Sequence, residues 1–107
     1  EPSAAVVVAT ARALKYNGGA SRRGVQDPNP EALERGLPNL AAHLDILSRF
    51  GVIPVVALNE FAGDAEAELR RIETFCEERG VAVARARIHA EGGAGGLELA
   101  DRVISTA

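Results

Sequence analysis

Side chains able to do chemistry concentrate in three short segments. The first is Thr10-Ala11-Arg12-Ala13-Leu14-Lys15-Tyr16-Asn17-Gly18-Gly19, with a hydroxyl, two cations, an amide and paired glycines. The second is Asn59-Glu60-Phe61-Ala62-Gly63-Asp64, with an amide, an aromatic ring and two carboxylates. The third is Ile88-His89-Ala90-Glu91-Gly92-Gly93, an imidazole leading into the glycine-rich run 92–96. Cations of this kind stabilise phosphoryl and carboxylate charge. A glycine run ahead of a helix can cradle an anion on its amides. That run has no Lys followed by Ser or Thr and lacks the dinucleotide spacing, so it matches neither phosphate-binding pattern. No cysteine or histidine pair has metal-ligand spacing, so no metal site is expected. No Ser/His/Asp set stands in a nucleophile context. Arg12 and Lys15 are the catalytic candidates, and Asn59, Gly92 and Gly93 are further loop candidates.

Each residue also has a plainer reading. Taken alone, Arg12 and Lys15 read first as solvated loop charges, and Gly18-Gly19 as a tight turn. Phe61 can plug a core, Asp64 can cap a helix, and His89 can be an ordinary half-buried histidine. Cys76 lies on a helical stripe and reads as packing.

The elements that must position these segments follow from apolar patterning. Ala4–Ala9 and Val52–Leu58 are continuous apolar runs, as in parallel strands covered on both faces. The run 81–86 is weaker and mixes in Arg85, with Arg87 just beyond, which places it nearer an edge or a partner surface. Asn29-Pro30-Glu31 is a helix start, with a capping Asn and Pro at the first helical position. Leu33, Leu37, Leu40, Leu44 and Leu47 form one stripe. Gly36 and Pro38 interrupt it, which predicts a short helix, a break near Gly36, and a second helix from Pro38 to Phe50. Asp64 is expected to cap the next helix, with Ala65, Leu69, Ile72 and Cys76 as its buried stripe. A last helix is expected after the glycine run, with Leu97, Ala100, Val103 and Ile104 on its apolar face. The order β-α-β-α-β-α predicts right-handed crossovers and a three-layer α/β/α fold on a mainly parallel sheet. In such a sheet, ligands bind beyond the C-terminal ends of the strands, where the three chemical segments fall.

The 107 residues allow one α/β domain, spanning 1–107. The net charge of −3 argues against a nucleic-acid or membrane-surface partner. No apolar stretch approaches the ~20 residues of a membrane span. A lone cysteine suits a reducing cytoplasm. Methionine is absent even at position 1, so the chain is expected to be an internal piece of a longer protein.

The stretch Val8-Ala9-Thr10-Ala11-Arg12-Ala13-Leu14-Lys15-Tyr16-Asn17-Gly18-Gly19 closely resembles the signature of formate–tetrahydrofolate ligases. That signature is Val-Ala-Thr, an aliphatic residue, Arg-Ala-Leu-Lys, a variable residue, His or Asn, then Gly-Gly. The resemblance continues through Gly36-Leu37, Asn39-Leu40, His43, Phe50-Gly51-Val52, Asn59, Phe61, the Asp64–Leu69 segment and residues 92–100, so it covers essentially the whole chain. It implies a Rossmann-like fold related to P-loop NTPases. It also implies a cytoplasmic, homotetrameric ligase of one-carbon metabolism that uses ATP with Mg²⁺. ATP and formate give formyl phosphate, and tetrahydrofolate takes up the formyl group, yielding 10-formyltetrahydrofolate, ADP and phosphate. In the family the phosphate-binding loop lies upstream of the part seen here. ATP and Mg²⁺ are therefore expected on the rest of the parent chain, and the fragment alone is expected to be inactive. Phe61 matches the family's pterin-stacking phenylalanine. Ala62 replaces the usual Pro, Gly63 the usual Thr, and His89 a tryptophan that forms the other side of the pterin sandwich. Folate-site residues are thus Phe61, Ala62 and His89, and the signature supplies Thr10, Arg12, Lys15, Asn17, Gly18 and Gly19. The alternative is a stand-alone α/β module that binds a nucleotide or anion without catalysis. A third possibility is an assembly domain with no ligand.

Overall fold

A computed structural model describes residues 3–87 and 103–106. The chain runs through β1 (Ser3–Thr10), α1 (Ala11–Asn17), a single 3-10 turn (Gly24–Gln26), α2 (Pro30–Arg49), β2 (Val52–Glu60), α3 (Glu66–Glu78), β3 (Ala82–Arg87) and β4 (Val103–Thr106). The sheet order is β3-β2-β1-β4, and every neighbouring pair is parallel. This is the expected parallel α/β fold, and among the described strands β3, with its two arginines, is outermost beside β2.

The register explains the core. Val7 lies opposite Val56, and Ala9 opposite Leu58. Side chains alternate across a strand, so these four share one face. All four are buried against Leu14 of α1, Leu33, Leu37, Leu40 and Leu44 of α2, and Leu69, Ile72 and Cys76 of α3. Each fully buried leucine contributes about 1.5–3 kcal/mol relative to its exposed state. The stripes read from the sequence are therefore the real core-facing stripes, except that Ala65 sits at the N-cap of α3 rather than inside it.

Three expectations are corrected. First, α2 is one continuous helix through Gly36 and Pro38. Pro38 is exposed, so the missing hydrogen bond to the Glu34 carbonyl falls on the face where water can substitute. Gly36 is a contact rather than a break: a Cβ there would overlap the Leu14 carbonyl oxygen of α1. Second, residues 11–17 are helical, because Thr10 Oγ1 accepts from the Ala13 amide at 2.9 Å and caps a helix directly off the strand. Third, Val103 and Ile104 do not form a helical face; they lie in β4, opposite Ala5 and Val6 of β1. Two adjacent β-branched residues fit a strand better than a helix end, and the three-residue spacing from Leu97 and Ala100 disguised this. Leu97 and Ala100 themselves lie outside the described residues, as does any second helical layer. The helices described all cover one face of the sheet.

Candidate functional site

The strand order reverses at β1: β2 and β3 follow on one side, and β4 lies on the other. Open α/β sheets bind ligands at such a switch point, beyond the C-terminal strand ends. Thr10 ends β1 there, level with Asn59 near the end of β2. Two of the three chemical segments therefore meet at this edge. His89, Gly92 and Gly93 of the third lie outside the described residues.

The α1 helix divides its polar residues between two tasks. Arg12 faces the turn that follows β2. Its guanidinium carbon lies 4.7 Å from the Phe61 ring centroid. Its Nη2 donates to the Ala62 carbonyl at 3.4 Å, and its Nε lies 3.7 Å from Asp64 Oδ1. The turn is closed twice: the Asp64 amide donates to the Phe61 carbonyl at 3.1 Å, and the Phe61 amide donates to Asp64 Oδ2 at 3.0 Å. Asp64 therefore does not cap α3, whose N-cap is Ala65 with no side-chain bond. Gly63 turns the chain at φ +90°, a conformation glycine adopts without strain.

Lys15 lies one turn further along and points inward. Its Nζ donates to Glu68 Oε1 at 2.8 Å and to the Asp27 carbonyl at 2.9 Å. Lys15 and Glu68 are 1 % and 4 % exposed, so Lys15 is neither in a loop nor solvated. Glu68 Oε2 also accepts from the Asn29 amide at 2.6 Å, which ties α3 to the start of α2. Glu68 carried no sequence signal beyond its place in the first turn of a helix. A lysine one helical turn behind a strand end, opposite an acid, is a pattern visible only once the topology is known.

Two further signature residues, Leu14 and Gly18, serve packing. Leu14 is a core residue. A Cβ at Gly18 would overlap the Ala32 carbonyl oxygen, so Gly18 and Gly36 together let α1 and α2 touch backbone to backbone. The Gly18 carbonyl accepts from Arg35 Nε at 2.7 Å. Gly19 adopts φ +106°, and Asn17 is exposed at the helix end.

Asn59 is 8 % exposed and its Oδ1 has no hydrogen-bond partner among the described residues. Arg12, Ala13, Tyr16, Arg22 and Val25 line an open surface pocket of about 250 Å³ between α1 and the segment that follows it. Among the described residues, no group of three or more His, Cys, Asp or Glu side chains could hold a metal ion. Nor do these residues form a phosphate-binding loop, so they do not fit the role of an ATP–Mg²⁺ site. What the edge offers is a half-buried aromatic ring with a cation on one face and, two residues earlier in the chain, a buried amide oxygen. The family model described as formate–tetrahydrofolate ligase matches residues 1–107, the full length of the sequence, and the chain belongs to that family.

Proposed function

We propose that this chain is part of an ATP-dependent ligase that joins formate to tetrahydrofolate, and that its β2 edge forms one wall of the pterin site. In the reaction, a formate oxygen takes the γ-phosphoryl group of ATP, giving formyl phosphate and ADP. The tetrahydrofolate amine then attacks the formyl carbon, phosphate leaves with the carbon–oxygen bond pair, and the amine proton is lost to a base. These residues contribute binding and orientation to the second partner; ATP and Mg²⁺ belong to other parts of the parent chain. The parent is a cytoplasmic homotetramer in this reading, and residues 1–107 alone make no product.

The observation that carries the reading is Phe61. Its ring is half-buried at the strand end, and Arg12 covers one face. A flat bicyclic ligand can stack on the other. Residues 61–64 form a hydrogen-bonded turn with Ala62 and Gly63 in place of the Pro and Thr usual in the family. An aromatic pair adds about 0.5–1.5 kcal/mol beyond area burial, or roughly a two- to twelvefold effect on binding.

The test is formate- and ATP-dependent synthesis of 10-formyltetrahydrofolate by the full-length protein. Phe61→Ala is expected to raise the KM for tetrahydrofolate at least severalfold while the KM for formate stays put. Full-length protein that makes no product under these conditions overturns the assignment and leaves the fold intact. The second reading, a non-catalytic anion- or nucleotide-binding module, draws on the pocket that Arg12 and Arg22 line. ATP binding with no response to folate would favour it.

A further inference from the structure

Asp64 does not cap α3, yet its side chain is only 1 % exposed. Burying a carboxylate without partners is costly, so its two oxygens indicate what it is for. Oδ2 holds the Phe61 amide at 3.0 Å. Oδ1 faces Arg12 Nε at 3.7 Å, and neither atom has a hydrogen-bond partner among the described residues. The same arginine lies over the Phe61 ring and reaches the Ala62 carbonyl. Asp64 thus grips the Phe61 backbone directly, and through Arg12 it also grips the ring.

We infer that Arg12 and Asp64 are positioning residues for Phe61, fixing its ring so that a single face remains open to the pterin. The inference rests on the pterin reading of Phe61 given above. A half-exposed phenylalanine at a strand end would otherwise sample several staggered χ1 wells. A guanidinium on one face, anchored from behind by a buried carboxylate, selects one of them. Arginine suits the task because its flat, permanently charged group can cover a ring and donate sideways at once. Arg12 is therefore committed to the protein's own ring, and its contribution to catalysis passes through Phe61.

The test is a double-mutant cycle on the full-length protein, read as KM for tetrahydrofolate with kcat and the KM values for formate and ATP alongside. Arg12→Gln is expected to raise the KM for tetrahydrofolate about two- to fivefold, the range of a cation–ring contact. Asp64→Asn keeps an acceptor for the Phe61 amide but loses the charge that holds Arg12, and should give a shift of the same kind. In a Phe61→Leu background both effects should largely vanish, because coupled residues are non-additive. If Arg12→Gln multiplies the KM by the same factor with and without the ring, Arg12 acts on substrate directly and the inference is overturned. A shift confined to the formate or ATP KM overturns it equally. If Phe61→Leu alone leaves the tetrahydrofolate KM unchanged, the pterin reading fails first and this inference falls with it. Should Asp64→Asn lose its thermal unfolding transition, Arg12→Gln decides the matter, since its partly exposed side chain is not part of the core.

Discussion

The Lys15 ammonium has three donors, and two of them are used inside the protein, on Glu68 Oε1 and the Asp27 carbonyl. Charges this deeply buried are stable only as a pair. Removing one partner from a buried ion pair typically costs about 3–5 kcal/mol, because the survivor is stranded in low dielectric. Lys15→Met is expected to lose that much in urea unfolding. Lys15→Met combined with Glu68→Gln should recover a large part, because no net charge then remains buried. The recovery stays incomplete, since the Asp27 carbonyl has lost its donor. A double variant no more stable than Lys15→Met alone would mean that lost packing, and not the stranded carboxylate, sets the cost. Arg12 behaves differently although it lies only one turn away on the same short helix. Its pair with Asp64 is longer, its side chain is partly exposed, and its contact is with a ring. Two cations of one motif thus serve two ends: Lys15 binds α1 to α3, and Arg12 reaches the edge where a ligand would lie. Type and spacing announced both charges, but the sequence alone could not say which was buried, because the acid that buries Lys15 is 53 residues away.

Between elements, the closest approach is that of α1 and α2, where Gly18 and Gly36 remove the side chains that would hold the backbones apart. This reverses the usual expectation for a helical glycine. Gly→Ala inside an isolated helix gains about 1 kcal/mol. Here Gly36→Ala drives a methyl into the Leu14 carbonyl, and overpacking of that kind costs about 1–3 kcal/mol or more. Two residues away the sign changes again. Pro38 is exposed and denies the Glu34 carbonyl its helical partner. Pro38→Ala is expected to stabilise the protein by about 1–2 kcal/mol, part of the helical gain being offset by a more flexible unfolded chain. Thermal unfolding of the two variants side by side checks both signs; a stabilising Gly36→Ala would mean that the backbone contact is absent in solution. This pair also shows where the sequence was legible. The leucine stripe fixed the buried face of α2 correctly, because burial imposes its period on the residue types. The break at Gly36–Pro38 was misread, because a glycine needed for contact and a proline tolerated on a wet face look the same in sequence as a helix terminator.

At the scale of the whole molecule, the parallel topology was the most legible feature, since continuous apolar strands alternating with amphipathic helices leave few other arrangements. The site was legible only in part. Phe61 and Arg12 were singled out separately, whereas the Asp64 turn that joins them depends on a chain reversal with no periodic signal. Among the described residues, the core is one cluster drawing on β1, β2 and the three α-helices, and Cys76 sits within it, fully buried. Burial, reinforced by the nearby Glu77 and Glu73 carboxylates, pushes the Cys76 thiol up to about 11 from its ordinary 9.0. The thiol is therefore a built-in reporter of global opening. At pH 8 a thiol-specific disulfide reagent should label it only as fast as the core opens, and labelling should rise steeply through the urea transition. The same shift sets an alkaline limit. The folded state holds the thiol proton more tightly than the unfolded state does, so the stabilising contribution is complete below pH 9 and is lost as pH climbs from 9 toward 11. Unfolding free energy should fall across that window more steeply in the native sequence than in Cys76→Ala, which has no thiol to titrate. Parallel slopes for the two proteins would show that folding does not raise the thiol, whereas rapid labelling of native protein at pH 8 would show that α3 opens separately from the sheet. The Lys15–Glu68 tie would then not be holding the helical layer together as one unit.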